Sequence, residues 1–354
     1  MAQPLITALI DTCNHERFIE RAIVSAIEQE VPQDGLEILV VDDGSKDRTA
    51  EIAAKFAPRV RLLRKQNGGQ ASAFNLGVPE ARGEYVALLD GDDWWAPNKL
   101  GIVLETFAQH PEIGTIGHGF YHADDEDRPF ERVAPQAAER LDFTSVENIA
   151  HFRPLRCFFG TSRVIYRRDL LAQILPVPAG IAIEADEYLW TVALSLRPAM
   201  ALERALTFYR MHGGNLYMVG AEDPARVRRK YDSLVCLASA LAERLSALGI
   251  PAELAAAVLE PLRIEVDQHR LAAGGGTPWE MFRTERAANR LSYAKMSPGY
   301  RIFKAGALAL TLVMPPRQFC RLKRWYAARG LRRFRRVLGE PTPAGTLTQR
   351  KMPT

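Results

Sequence analysis

Residues 90–93, Asp-Gly-Asp-Asp, combine the residue types and the spacing of a binding site for a hard divalent cation. They follow an apolar run, and residues two apart in an extended chain point the same way, so Asp90 and Asp92 can converge on one ion. Carboxylate oxygens suit Mg²⁺ or Mn²⁺, and a site with few protein ligands leaves positions for diphosphate oxygens. Such an ion would neutralise charge on a departing nucleoside diphosphate. The alternative interpretation is a solvated acidic turn.

A second acidic block, residues 40–45 (Val-Val-Asp-Asp-Gly-Ser), also ends an apolar run. An acid at the end of a second strand, here Asp42, can accept hydrogen bonds from a ribose or a base N–H. Asp43 and Ser45 are alternatively helix-capping residues. A dinucleotide-binding Rossmann domain is a competing interpretation, but residues 11–15 (Asp-Thr-Cys-Asn-His) lack the glycines that let a backbone approach a pyrophosphate.

Two later segments contain candidate groups for proton transfer and phosphate binding. Residues 184–190 (Glu-Ala-Asp-Glu-Tyr-Leu-Trp) begin an apolar helix with a carboxylate cluster. Its acids would either complement the helix dipole or act as a general base on an acceptor hydroxyl. Residues 208–215 (Phe-Tyr-Arg-Met-His-Gly-Gly-Asn) form a basic, glycine-bearing loop that can wrap a diphosphate. Its lone histidine, His212, is alternatively a structural residue.

The elements that must position these groups alternate in type along the first hundred residues. Strand-like runs are followed by helix-like periodicity, which predicts an α/β fold with a mostly parallel sheet, Rossmann-like in its first half and covered by helices on both faces. Ligands bind beyond the carboxyl ends of the strands in such sheets, where the acidic residues lie. The predicted strands are 5–10, 36–41, 60–63 and 85–89.

Beyond this region the pattern changes twice. Residues 113–215 are mixed and loop-rich, and residues 220–290 are helical and rich in alanine and leucine. We therefore predict three parts, which are a nucleotide-binding domain at 1–218, a helical region at 219–297 and a basic amphipathic tail at 298–354.

Seven segments, taken in order between Leu5 and Asn215, resemble the family 2 glycosyltransferases with a GT-A fold. Each motif is weak alone, and their order makes the resemblance specific. The segments are Thr12-Cys13-Asn14, residues 40–45, Asn67-Gly68-Gly69 with Asn75-Leu76-Gly77, residues 81–85, residues 89–93, residues 186–190 and residues 209–215.

The resemblance implies an enzyme that transfers a sugar from a nucleotide-sugar donor with inversion, assisted by Mn²⁺ or Mg²⁺. It places Thr12 and Asp42 at the base, with Asp42 facing a uracil-type N–H, and Asp92 at the ribose or the donor sugar. Asp186 falls at the position of the catalytic base, although Glu184 and Glu187 flank it. The implied metal ligands are Asp90, Asp92, Asp93 and His212, and the further donor-binding positions are Cys13, Asn14, Asp43, Asn67, Gly69, Asn75, Asp90, Gly91 and His212.

Two departures from the family pattern bear on these expectations. The first turn has Asp11 and Cys13 where the family has proline and an aromatic residue, which leaves the donor base open. The Gln-x-x-Arg-Trp motif of the processive members is absent, so we predict transfer of a single sugar. A non-catalytic nucleotide-sugar or glycan-binding module and a nucleotidyltransferase are the alternative functions.

The C-terminal end has a different charge from the rest of the chain. Between Arg286 and Gly339 there are 14 Lys or Arg and no Asp or Glu. The apolar run at 302–314 is too short to span a bilayer, and the cations that follow, interleaved with aromatic residues up to 336, suit a helix at an anionic membrane surface. The alternative is a helix packed on the body with a solvated basic face. No motif indicates nucleic-acid binding.

The N-terminus and the cysteines bear on location. The N-terminal residues show no signal peptide, and four scattered cysteines indicate free thiols in a reducing compartment. We therefore predict a cytoplasmic protein, peripheral at the inner face of a bacterial membrane, that acts in cell-surface or polysaccharide biosynthesis on a glycan or lipid-linked acceptor.

Overall fold

The computed structural model describes residues 4–32, 35–212, 224–293 and 298–328. Among these residues the chain forms two compact units, one of 4–212 with 239–257 and one of 224–238 with 258–328. The predicted domain boundaries at 218 and 297, the residues after His212 in the predicted phosphate loop and the tail beyond 328 lie outside the described residues.

The first half of the sheet in the N-terminal unit is parallel. Its strands β1 to β4 lie side by side in the order β3-β2-β1-β4. A helix follows each of the first three strands, as the alternating pattern predicts. The elements are β1 (Ile6–Thr12), α1 (Ile19–Ile27), β2 (Leu36–Asp42), α2 (Thr49–Ala54), β3 (Val60–Arg64), α3 (Gln70–Glu80) and β4 (Tyr85–Asp90).

Beyond β4 the sheet is mixed. The elements are β5 (Trp94–Trp95), α4 (Lys99–Gln109), β6 (Thr115–Ala123), β7 (Pro129–Val133), β8 (Glu139–Leu141), α5 (Val146–Phe152), β9 (Val164–Arg167), α6 (Arg168–Ile174), α7 (Ala185–Leu196) and β10 (Ala199–Arg210). The order continues β4-β9-β6-β10-β5, and β9 is antiparallel to both β4 and β6. Because β6 and β10 pair in parallel, both run in the direction of β4 and end at the same sheet edge.

Helices pack on both faces of the sheet, and alternate residues of β1 point to opposite sides. Ile6, Ala8 and Ile10 belong to a buried cluster with residues of α1 and α4. On the other face α3 approaches closely, since a Cβ built on Gly77 would lie 2.5 Å from Leu9 Cδ1. The α/β fold with a doubly covered sheet is therefore confirmed, with its parallel part confined to β1–β4 and the β6–β10 pair.

The C-terminal region is helical, as predicted. Its helices are α8 (Pro224–Ala247), α9 (Ala252–Ala272), α10 (Pro278–Tyr293), α11 (Pro298–Leu310) and α12 (Pro316–Ala328). A small core of Leu271, Met281 and Phe319 joins α9, α10 and α12. Within the described ranges, no helix combines the length and the hydropathy needed to cross a membrane.

Candidate active site

The candidate site lies where β1 and β4 end side by side. Asp11 and Asp90 are paired across the parallel strands, and the Gly91 N–H donates to Asp11 O at 2.9 Å. A Cβ on Gly91 would lie 2.4 Å from Thr12 Oγ1 and 2.7 Å from Thr12 Cβ. Because any other residue would carry a Cβ that clashes with Thr12, glycine at position 91 allows the turn after β4 to pass close to Thr12.

The turn after β4 gathers three carboxylates. Asp90, Asp92 and Asp93 each offer an oxygen within 4.8 Å of the others. Asp93 is buried, and one of its oxygens accepts the Arg210 N–H at 2.8 Å. Its other oxygen, Oδ2, is buried with no hydrogen-bond partner among the described residues. A bound cation would satisfy a buried acceptor on a residue that is grouped with two further carboxylates, so these residues fit a divalent metal.

The electrostatics of this cluster support the same interpretation. Burial raises the pKa of Asp93 to about 7, with the charge of Asp92 adding to the effect. Burial, followed by the charges of Asp11 and Asp92, raises the pKa of Asp90 well above its ordinary value. Burial also raises the pKa of Asp11 to about 8. The cluster therefore does not hold all of its negative charge without a counter-ion.

Asp92 differs from its neighbours because histidines face it. Burial alone would raise its pKa, but the charge of His15 and the hydrogen bond from His212 lower the pKa below its ordinary value. His212 Nε2 lies 2.9 Å from Asp92 Oδ2, and His15 Nε2 lies 3.9 Å from it. The structure thus brings His212, from the segment after β10, to the acidic triad.

The predicted base-binding residues lie at the adjoining ends of β1 and β2. Asp42 is fully buried, and its carboxylate accepts the Ser45 N–H at 3.1 Å and Arg64 Nε at 3.3 Å. Thr12 is opposite Asp42 in the register. Asn14 has a left-handed backbone with φ 59°, and its side-chain oxygen accepts the Lys46 N–H at 2.8 Å.

Asp43 holds the glycine loop that begins α3. Its carboxylate accepts the Gly68 N–H at 3.0 Å, the Gly69 N–H at 2.7 Å and Lys65 Nζ at 2.5 Å. Asn67 Nδ2 donates to Asp43 O at 2.9 Å and contacts Cys13 Sγ at 3.2 Å. Asp43, Asn67 and Gly69 therefore form one local hydrogen-bond network. In it, Asp43 positions the glycine loop that lies beside the site.

Asn75 lies outside this network. Its side-chain amide donates to Val177 O at 2.7 Å, and its oxygen accepts the Val177 N–H at 2.8 Å. This pair of hydrogen bonds holds the segment after α6 against α3. The structure therefore gives no support to the predicted donor contact of Asn75.

Asp186 lies in the first turn of α7. Its carboxylate accepts the Thr161 N–H at 3.2 Å and the Glu187 N–H at 2.9 Å. Burial raises its pKa, while the charge of Arg163 and the two backbone hydrogen bonds oppose the rise. The charge of Asp186 in turn raises the pKa of Asp11 and Asp90, which places it within electrostatic reach of the acidic cluster. A raised pKa makes the carboxylate of Asp186 a stronger base than an ordinary aspartate.

Three residues that the motifs did not indicate connect these carboxylates. Gln70 Nε2 donates to Asp90 Oδ1 at 2.9 Å and to Thr161 Oγ1 at 3.1 Å, and the Thr161 N–H reaches Asp186. Ser162 Oγ accepts the Asp90 N–H at 3.1 Å. Gln70 follows the glycine loop directly, so its position was a usable signal. Thr161 and Ser162 have no such signal.

The Ser162 carbonyl is itself held by three donors. It accepts Trp95 Nε1 at 3.0 Å, Lys99 Nζ at 2.8 Å and Thr207 Oγ1 at 2.6 Å. Lys99 is fully buried, its Nζ lies 3.9 Å from the Trp95 ring centroid, and burial lowers its pKa well below the ordinary value. These contacts fix the segment that supports Asp90.

Arg210, at the end of β10, supports the triad from the other side. Its N–H donates to Asp93, its Nε donates to Asp92 O at 2.7 Å, and its guanidinium also bonds Asp127. The guanidinium carbon lies 4.5 Å from the Phe18 ring centroid and 4.6 Å from the Trp94 ring centroid. The sequence motif contained Arg210, but its positioning role follows only from the structure.

An α/β sheet whose strand ends gather a carboxylate triad that fits a divalent cation, with a partly buried candidate base nearby, is the arrangement expected of a GT-A glycosyltransferase. The glycosyl transferase family 2 signature matches residues 7–175. An uncharacterized glycosyltransferase from Nostoc sp. is 33% identical over 222 residues, covering 61% of this chain and 67% of the relative. The chain belongs to glycosyl transferase family 2. Other curated relatives are matched over smaller shares of their own length, such as 49% and 20%.

Solved structures support the fold. The mannosyltransferase PcManGT from Pyrobaculum calidifontis, in complex with GDP-Man and Mn²⁺, aligns with TM-score 0.54 over 96% of this chain and 89% of that chain, at 19% identity. S. aureus TarS 1–349 in complex with UDP-GlcNAc aligns with TM-score 0.51 over 81% and 88%, also at 19% identity. These similarities confirm the GT-A fold.

Proposed function

We propose that this protein transfers a single sugar from a UDP-type nucleotide-sugar to an acceptor hydroxyl, with Mn²⁺ or Mg²⁺ as cofactor and with inversion. The observation that carries the proposal is the meeting of the Asp90–Asp92–Asp93 triad and Asp186 at one sheet edge, joined through Gln70 and Thr161. Family membership favours glycosyl transfer over a nucleotidyltransferase or a non-catalytic module.

Asp90, Asp92 and Asp93 would hold the metal, with His212 beside Asp92. The ion would supply positive charge to the diphosphate as the bond to the sugar breaks. Asp186 would remove the proton from the acceptor hydroxyl, because its carboxylate lies at the same edge and its pKa is raised. Arg210 and Ser162 would keep the triad in place.

The donor would lie across the ends of β1 and β2. Asp42 and Thr12 would contact the base, with Cys13 and Asn14 beside them, and the loop at 67–69 would border the same pocket. The structural neighbours support a nucleotide-sugar donor, because their complexes contain UDP-GlcNAc and GDP-Man. The uracil preference itself depends on Asp42.

A thermal-shift screen tests the donor and the metal together. We expect UDP and UDP-sugars to stabilise the full chain in the presence of Mn²⁺, and GDP to stabilise it much less. Equal responses to all nucleoside diphosphates would reject the uracil preference, and stabilisation independent of metal would reject the metal role.

An Asp186→Asn variant tests the base assignment. We expect turnover to fall by about 10²–10⁴-fold, while the UDP-dependent thermal shift stays at its wild-type value. Glu187→Gln, on the same helix turn, is the matched control and should retain turnover. A larger loss in Glu187→Gln than in Asp186→Asn would move the base to the neighbouring residue.

We place the reaction in bacterial cell-surface or polysaccharide biosynthesis, at the cytoplasmic face of a membrane with a lipid-linked acceptor. The support is the cationic C-terminal region, which offers a surface for an anionic membrane.

A further inference from the structure

We propose that the outward face of α11 and the turn after it insert into an anionic lipid surface. This face, the exposed apolar face, consists of Ile302, Ala305, Gly306, Ala309, Leu310, Leu312 and Val313. This inference rests on the proposed function in one respect, which is that a lipid-linked acceptor would give the enzyme a reason to bind a membrane.

The solvent-exposed side of α11 is apolar, whereas the exposed side of a surface helix is normally polar. Positions three and four apart on a helix share one face. On α11 the solvent-facing positions that follow Arg301 carry no charge, and Ile302 and Val313 are 75% and 77% exposed. Nine large apolar side chains are exposed among the described residues, and five of them lie between Ile302 and Leu322. Such a concentration marks an interaction surface, since exposed apolar residues are normally scattered.

The opposite side of the same segment is already packed. Thr311 is fully buried, and Phe319 packs with Leu271 and Met281 in the core of its own unit. The exposed apolar face is therefore not the side that these helices use for folding. It is left for a partner.

Exposed cations precede and follow this face in the chain, and they indicate the charge of the partner. Arg301, Arg317, Arg321 and Lys323 are exposed, and the sequence has no Asp or Glu between Glu285 and Glu340. Arg317 is oriented by hydrogen bonds to Ala273 O, the shorter of 2.6 Å, and Lys323 by its contact with Glu285 at 2.7 Å.

An apolar strip flanked by cations matches the boundary between acyl chains and anionic headgroups. A second copy of this chain would present the same positive rim and be repelled. Nucleic acid offers phosphates but no apolar layer for Ile302 and Val313. An apolar helix face with exposed Arg301 at its start and exposed Arg317 after it suits a segment that lies in the plane of the interface.

Vesicle flotation tests the inference with the full chain. We expect binding to phosphatidylcholine vesicles that contain about 30 mol% phosphatidylglycerol, and little binding to phosphatidylcholine alone. The double substitution Ile302→Glu with Val313→Glu should weaken binding at least about tenfold, because two apolar side chains no longer enter the acyl boundary. Arg301→Gln with Arg321→Gln should weaken it about tenfold and reduce its dependence on salt.

Phe130→Glu is the matched control, because Phe130 is also a large exposed apolar side chain, 55% exposed, and lies in β7 of the other unit. It should bind vesicles as wild type does. Ile302→Leu with Val313→Leu should also retain binding, since both changes keep the face apolar. Equal binding to neutral vesicles, or unchanged binding of the Glu double variant, would overturn the inference.

Two further measurements separate this inference from the proposed function. Sedimentation of wild type and the Glu double variant without vesicles shows whether the face joins two copies, and a dimer that the substitutions dissolve would overturn lipid docking. Release of UDP from a UDP-sugar in solution is measured on the same proteins. Vesicle binding without such release would contradict the proposed transfer alone, whereas release without vesicle binding would contradict the docking alone.

Discussion

After β2, Asp43 is surrounded by donors, whereas after β4, Asp93 keeps a buried carboxylate oxygen without a hydrogen-bond partner among the described residues. Both acids follow a buried parallel strand, and both are close to a second aspartate and a glycine. Only the contacts of their oxygens separate a carboxylate that organises the protein from one that is left for a ligand. At these two positions the contacts of the carboxylate indicate that Asp43 has a structural role and that Asp93 is a candidate metal ligand.

Among the changes that test this comparison, the largest effect is expected from removing the unsatisfied charge. Asp93→Asn keeps the side-chain shape but lowers the charge available to a divalent ion, so we expect turnover to fall by about 10²–10³-fold. The Mn²⁺-dependent thermal shift with UDP should disappear. Steady-state kinetics and calorimetry measure both effects, and a variant that keeps its metal response would remove Asp93 from the ligand set.

The pH dependence of metal binding is a second test of the difference between Asp43 and Asp93. The pKa values of Asp93, about 7, and of Asp11, about 8, are raised above the ordinary 3.8. At pH values between the ordinary pKa and these raised pKa values, the unfolded chain binds fewer protons than the folded one. The metal-free protein therefore loses stability as pH rises through this range.

A metal that binds the ionised carboxylates should reverse this trend. We expect apparent Mn²⁺ affinity to rise by about tenfold per pH unit between about pH 5 and pH 7, as protons stop competing. Thermal unfolding over a pH series, with and without Mn²⁺, measures it. The outcome that contradicts this expectation is a metal-induced shift that does not change with pH.

A smaller effect is expected for the satisfied acid. Asp43→Asn weakens the hydrogen bonds to Gly68, Gly69 and Lys65, which should cost about 1–3 kcal/mol of unfolding free energy. The variant should retain its Mn²⁺ response once donor binding is saturated. If it lost the metal response as Asp93→Asn does, the distinction between the two strand ends would fail.

The smallest effect is expected for Asn75→Ala. It removes two hydrogen bonds to Val177, so it should reduce stability by about 1–2 kcal/mol. Donor KM should stay within about twofold of wild type, since hydrogen bonds to Val177 hold the loop rather than the donor. A donor KM that rose tenfold or more would restore Asn75 to the donor site.

Local patterns predicted the parts of the fold and the site that lie close together in sequence. Alternating strand-like and helix-like runs placed Asp42 and residues 90–93 at carboxyl strand ends, and the structure brings them to one edge. The pairing of β9 with both β4 and β6 was not predictable from those runs, because it depends on contacts between strands far apart in the chain.

The supporting residues of the site were missed for the same reason. Thr161 is 91 residues from Gln70, and Ser162 is 72 residues from Asp90, so no motif records their contacts. Asn75 shows the converse, because a family motif indicated a donor contact that stays a prediction, whereas the structure shows its side chain bonded to Val177. The exposed apolar face of α11 was also not predictable from the sequence, because the apolar run at 302–314 does not show which of its residues pack inward.

The amide of Gln70 has a consequence for timing within a catalytic cycle. It joins the carboxylate of Asp90 to Thr161, whose backbone holds Asp186. In the proposed mechanism, leaving-group departure at Asp90 and acceptor activation at Asp186 would be linked by this short chain of hydrogen bonds. A displacement of Asp90 on arrival of the donor would be transmitted to Asp186, so that the base reaches its working position only when the other substrate is already in place.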